Sequence, residues 1–356
     1  MQPSPLARWL LLAYALLIVD GSLYPFSGWR DQGVAPLAFL WASLPRYVTT
    51  FDVATNVLAY APLGFLATLA MAPSLRGGVA VALAALAGAA LSLGLEAIQT
   101  FLPSRIASNL DFIANAAGGL LGALAGAAFV ERLIRRRGAG LQDLRRRMFS
   151  AGGRIDLGLV LLGLWLVSQL NPETLLFGNG DLRVLLAGPS GVHYPPDLFI
   201  RAEAAVAGAN AVALGLFASC LVERGQPARL AIAALIAAAL ALRTLAFGML
   251  FHPLDMLLWA TPGALFGAAA GTLVALVLAA LPRPARLALA GLVLMAATVL
   301  VNIAPENPYL AASLAVWRQG HFLNFNGLTR FVSWIWPFAA LAYLMLLAAG
   351  RTRSRV

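Results

Sequence analysis

Three carboxylates, three amides, a tyrosine and an arginine stand at short spacings in the first third of a 356-residue chain that is otherwise strongly apolar. In "FDVATNVLAYAPLG", Asp52, Asn56 and Tyr60 follow one another four residues apart. In "EAIQTFLPSR", Glu96 and Gln99 are three apart, and Arg105 closes the stretch. In "LDFIANAAGG", Asp111 and Asn115 are again four apart. Residues three or four apart share one face of a helix. A carboxylate so placed serves as a general base, several carboxylates together take a divalent cation, and an arginine grips a phosphate through two parallel hydrogen bonds. No Ser/His or Cys/His nucleophile pair and no zinc-ligand spacing is visible, which argues against the usual covalent and zinc chemistries. The candidate ligand set is therefore Asp52, Asn56, Tyr60, Glu96, Gln99, Arg105, Asp111 and Asn115. Glu96, Asp111 and Asp52 are the candidates for any catalytic role, no metal set is assigned, and the sequence names no cofactor.

Membrane-spanning helices must carry these residues. The chain is 61% hydrophobic and 11% charged, with a mean hydropathy of +0.82, against about 25% charged in a soluble domain. Apolar runs recur at roughly 7–23, 53–72, 78–100, 111–130, 155–171, 203–222, 228–250, 256–281, 286–304 and 331–349. They have the length needed to cross a bilayer. The expected fold is an all-α polytopic bundle of about ten transmembrane helices. All 25 cationic residues are arginine, giving a formal charge of +10; in such a chain this is a topological signal, and nucleic acid is not an expected partner. Cys220 is the single cysteine, so no disulfide framework exists. Arg8 precedes the first apolar run without a small-residue cleavage site behind it, which reads as a retained helix. With the N-terminus inside, seventeen arginines fall inside and seven outside, with Arg243 within a span. Both termini and the basic loop Arg132–Arg154 are therefore expected on the cytoplasmic side, and Arg105, His193 and Trp317 outside. Trp317, Trp334 and Trp336 read as an interfacial aromatic belt.

The chain repeats itself. "LDFIANAAGGLLGALAG" (Leu110 to Gly126) aligns with "LDMLLWATPGALFGAAAG" (Leu254 to Gly271), and "SLYPFSG" is echoed by "SQLNPETLLFG" and "VNIAPENPY". The expected organisation is a four-helix unit over 1–130, a basic loop over 131–154, a degenerate second four-helix unit over 155–282, and two further helices over 283–356 as a partial third copy. An even number of crossings per unit makes this a parallel repeat. Helices 2 and 4 of the first unit then start at the face where helix 3 ends, so the candidate residues gather at one outer mouth. Small residues beneath them, among them Gly118, Gly122 and Gly126, let helices approach closely. Asp52 and Asp111 also stand where a helix cap or first-turn acid belongs.

"FDVATNVLAYAPLGF", "EAIQTFLPSR" and "LDFIANAAGGLLGALAG", in that order, resemble the VanZ-like family of bacterial membrane proteins over about residues 10–130. The family's landmarks are D-x-x-x-N followed by P-L-G, E-x-x-Q, an arginine in the next loop, and D-x-x-x-N-x-x-G. They fall here on Asp52, Asn56, Pro62, Gly64, Glu96, Gln99, Arg105, Asp111, Asn115 and Gly118. Its namesakes are associated with resistance to the glycopeptide teicoplanin, and other members with cell-envelope and exopolysaccharide settings. The resemblance implies a multi-pass protein of the bacterial inner membrane with an envelope role.

The second half departs from this pattern. Asp255 aligns with Asp111, but Trp259 stands in place of the asparagine, and Glu203, Asn210, Arg243 and His252 supply other polar groups. Arg243 has three readings: it snorkels outward, pairs with Glu203 or Asp255, or binds an anion. Three functions remain in view. The first is binding or modifying an envelope lipid or lipid-linked precursor; the others are a non-catalytic accessory role and transport or flipping. Membrane lipids are the expected partners in each.

Overall fold

A computed structural model describes residues 5–45, 48–72, 74–135, 148–150, 152–183, 195–223, 225–250, 253–305 and 323–349. Among these, ten α-helices form an all-helical, multi-pass membrane bundle. They are α1 Pro5–Leu23, α2 Thr50–Met71, α3 Gly77–Gln99, α4 Asn109–Arg135, α5 Gly153–Ser168, α6 Pro196–Leu221, α7 Ala228–Leu250, α8 Pro262–Leu278, α9 Arg283–Ile303 and α10 Leu323–Ala349. Eight are long and apolar enough to cross a membrane; α5, at 16 residues, and α8, at 17, are shorter. At 1.5 Å per residue these two reach roughly 24–26 Å, less than the hydrocarbon thickness of about 30 Å. The chain divides into two compact units, Met1–Arg145 and Arg146–Val356. His193, His252, Trp317 and most of the basic loop, 136–147, lie outside the described residues.

In the first unit, α2 packs most closely on α4, α3 packs on both, and α1 lies against α2 and α3. A methyl group added at Gly118 would overlap the Val57 carbonyl, and one at Gly122 the Ala61 carbonyl; at Gly126 it would press on Phe65. Each step is four residues on both helices, so α2 and α4 run parallel with their backbones touching. Gly64 approaches the Gly119 carbonyl from the other side. Apolar side chains gain little by meeting each other in lipid, and close backbone packing takes over as the holding force. Both helices start on the same device. Thr49 caps α2 by accepting from the Asp52 N–H at 3.1 Å, and Ser108 caps α4 by accepting from the Asp111 N–H at 3.3 Å. The acid sits three residues past the cap in each case, where the helix dipole favours it.

The second unit has the same inner arrangement. Methyl groups at Gly263, Gly267 and Gly271 of α8 would overlap the carbonyls of Ile200, Ala204 and Gly208 on α6. These two helices are parallel and in four-residue step, like α2 and α4. α6 also packs on α5, α7 and α9, while α10 packs on α5 and α9. The last two helices are thus built into the second unit. Pro337 inside α10 has no N–H to offer the Ser333 carbonyl four residues back. The Gly180 N–H takes that carbonyl at 2.8 Å, drawing the segment after α5 into the unit.

Three sequence expectations are corrected here. Asp255 lies in a short 3-10 turn, Pro253–Asp255, and α8 starts only at Pro262 behind the Thr261 cap. Trp336 is buried and donates from Nε1 to the Leu161 carbonyl at 2.6 Å, so it is a core residue rather than part of a belt. Trp334 remains half-buried under the Arg330 guanidinium at 4.7 Å. Arg243, third, neither snorkels nor pairs with Glu203 or Asp255. It is 2% exposed and donates to the carbonyls of Asn171 and Thr174, with Phe247 beneath it. Glu203 instead accepts from the Thr261 hydroxyl at 2.6 Å.

The glycine contacts yield a paired test. Gly122→Ala and Gly267→Ala should each lower stability by about 1–3 kcal/mol through overpacking. Gly94→Ala and Gly163→Ala, whose added methyl meets nothing within 4 Å, should be neutral or stabilising by up to about 1 kcal/mol. Thermal melting in detergent distinguishes the two pairs.

Candidate functional site

The parallel register of α2 and α4 sets their first turns side by side, and α3, running back against both, ends at the same level. The Asn56 Nδ2 donates to Asp111 Oδ1 at 2.9 Å, tying α2 to α4. One turn deeper, Asn115 Nδ2 donates to the Ser92 hydroxyl at 3.0 Å, tying α4 to α3. Glu96 Oε2 accepts from the Ser108 N–H at 2.8 Å, so the end of α3 holds the cap of α4. Asp52 is exposed and accepts from the Thr49 hydroxyl at 2.6 Å, yet it lies near enough to Asp111 for their charges to interact. Glu96 interacts electrostatically with both Asp111 and Arg105, and Tyr60 is buried beside Ser92 and Glu96. Asp52, Asn56, Tyr60, Glu96, Asp111 and Asn115 thus share one end of one three-helix contact.

Gln99 and Arg105 are turned to another task. Gln99 Nε2 donates to the Ser22 carbonyl at 2.9 Å. Arg105 donates from Nη2 to the carbonyls of Gly21 at 3.1 Å and Tyr24 at 2.8 Å, and from Nε to Tyr24 at 3.1 Å. The last carbonyls of a helix have no partner within it, and these two side chains supply one for α1. Burial lowers the Arg105 pKa from its ordinary value, and the nearby Glu96 charge opposes that. Arg243 does the same for the second unit, gripping the chain just after α5. In both units an arginine holds the exit of the first helix.

Several buried polar atoms of the first unit have no hydrogen-bond partner among the described residues. Asn115 Oδ1 and both carboxylate oxygens of Asp20 are among them, with Asn115 6% and Asp20 2% exposed. The Tyr60 hydroxyl makes no hydrogen bond of good geometry either, although Ser92 is its neighbour. Dehydrated polar groups are costly unless paired. Asn115 and Asp20 leave acceptors unsatisfied. Glu96, 4% exposed, adds a further carboxylate. The site's chemistry is acceptor-rich, suited to a partner bearing hydroxyl, amide or ammonium donors. Among the described residues, no three Asp, Glu, His or Cys side chains gather closely enough to hold a metal ion.

Asp20 is buried but carries little signal in the sequence. Its only signal is a lone acid in "LLIVDGSLYP", with no partner at helical spacing to flag it. Ser108 and Thr49 carry a clearer signal, since Ser/Thr-x-x-Asp ahead of an apolar run is a cap signature.

The two arginine clamps can be tested together. Arg105→Gln and Arg243→Met should each leave carbonyls unpaired, at about 1–3 kcal/mol per stranded group. Each should lower the melting temperature and expose the chain after α1 or α5, respectively, to proteolysis.

Residues 8–130 match the VanZ/LLP1 family model. No curated protein and no solved structure shows detectable similarity to the chain. The match runs from early α1 to within α4 and takes in every candidate residue from Asp52 to Asn115. The first unit of this multi-pass membrane protein is a VanZ-like domain.

Proposed function

We propose that the VanZ-like unit binds the polar head of an envelope lipid or lipid-linked precursor at the end where α2, α3 and α4 meet. The observation that carries this reading is the buried, unpartnered acceptor of Asn115 beside Glu96 and Tyr60. Sugar hydroxyls or amide N–H groups of a lipid-linked glycan or peptide supply the missing donors, while the acyl portion stays in the bilayer. Arg105 and Gln99 act as positioning residues that fix α1 against this site. Whether binding leads on to a reaction rests with Glu96 and Asp111 as general-base candidates. The arginine asymmetry supports an orientation in the bacterial inner membrane with both termini cytoplasmic and the site facing outward.

An accessory role is the second reading, favoured by one observation: Asn56, Asp111, Asn115 and Ser92 also tie helices together. Glu96→Gln separates the two readings. It keeps size and an acceptor oxygen but removes the charge. For a binding site, it abolishes the envelope phenotype of a complemented deletion strain, teicoplanin susceptibility included, while the melting temperature holds. For a packing role, activity and melting fall together. Asp255→Asn is the internal control and is expected to be mild, since Asp255 stands in a turn outside α8.

Topology has its own check. Cys220 is buried, so the native chain gives little labelling background. Cysteine at exposed Ser104 should react with an impermeant maleimide from outside, and cysteine at exposed Ser74 only after permeabilisation. The opposite pattern reverses the orientation and moves the site to the cytoplasmic face.

A further inference from the structure

The second unit contains a half-open cavity of about 1290 Å³, formed by the end of α6, the turn into α7, the start of α9 and the last turns of α10. That volume exceeds the roughly 300–1,000 Å³ of pockets that hold drug-sized molecules. Its body is apolar, with Leu292, Met295, Leu344 and Met345 along α9 and α10. Its rim carries Arg283, Arg286 and Glu223. Arg286 spends one donor on the Ser219 carbonyl at 2.9 Å, and its Nε is buried with no partner. Arg283 makes no hydrogen bond or ion pair among the described residues, and neither arginine reaches a carboxylate within 4.0 Å.

We propose that this cavity binds an anionic phospholipid, with its phosphodiester between Arg283 and Arg286 and its acyl chains along α9 and α10. Among the described lining residues, two guanidinium groups and one carboxylate give a net charge of +1 (2 − 1). A singly negative headgroup cancels it, whereas a zwitterionic one leaves a positive charge at the edge of the hydrocarbon. Arginine suits the role because its planar fork matches phosphate oxygens. Basic pockets between helices at the cytoplasmic side are a recurrent way of holding acidic lipid heads. Glycerol hydroxyls of the head have acceptors in Glu223 and Gln226 on the same rim. The site shares no residue with the VanZ-like unit, so its failure leaves the Glu96 reading untouched.

The test uses the full-length chain, delipidated in detergent and titrated with phosphatidylglycerol or phosphatidylethanolamine. Retained lipid is read by native mass spectrometry and stabilisation by melting. Phosphatidylglycerol should be retained and should raise the melting temperature more than phosphatidylethanolamine. Arg283→Gln with Arg286→Gln should weaken its binding roughly tenfold or more. Gly291→Trp fills the cavity from α9 at a position where an added Cβ meets nothing within 4 Å, so the fold survives and lipid retention is lost. Equal retention of both lipids, or full retention in the tryptophan variant, overturns the proposal. So does a change of oligomeric state in that variant with lipid retention unaltered, which would make the cavity a protein interface.

Discussion

The contact between the backbones of α2 and α4 carries the rest of the first unit. Gly118, Gly122 and Gly126 lie on the carbonyls or backbone of Val57, Ala61 and Phe65, leaving no room for a methyl group between the helices. That approach fixes both register and depth. With register set, Asn56 faces Asp111 and Asn115 faces Ser92. A one-turn slip of α4 against its neighbours would break both pairs and strand Asn115 and Ser92 in a dehydrated setting, at about 1–3 kcal/mol each. Close packing and polar pairing therefore specify the same arrangement, and each penalises the alternatives to the other.

The second unit shows which parts of this design are separable. It keeps the four-residue glycine ladder between α6 and α8, and it keeps an arginine on the exit of its first helix. The polar mouth is not kept. Trp259, in the turn ahead of α8, donates to Thr244 at 3.1 Å, and Glu203 of the second helix accepts from Thr261, the cap of the fourth. Packing and helix-exit clamping are thus common to both units, and the Asn56–Asp111 and Asn115–Ser92 pairs belong to the first.

Most of the helices were legible in the sequence because hydropathy and length suffice to find a span. The Asn56–Asp111 contact was legible too, since i, i+4 spacing on two helices entering from one side leaves few places for those side chains. Arg243 was not. Its partners are backbone carbonyls, which carry no residue-type signal, whereas sequence spacing points only to carboxylates. The start of α8 was misplaced for a related reason. Asp255 matched Asp111 by type, while the decisive signal was Thr261-Pro262, a cap followed by a residue suited to the first helical turn. Trp336 looked interfacial by composition, but its face of α10 turns toward α5. Asp20 had no spacing partner, and only burial without a partner singles it out.

The central claim is that the acceptor-rich end of α2, α3 and α4 holds a donor-bearing lipid head. The most direct measurement is lipid mass spectrometry on the protein purified from its native membrane, comparing wild type with Glu96→Gln. The expected result is a hydroxyl- or amide-rich envelope lipid enriched on the wild-type chain and absent from the variant, with bulk phospholipids unchanged. Identical lipid profiles from two equally stable proteins would contradict the claim and leave the cluster a device for helix packing.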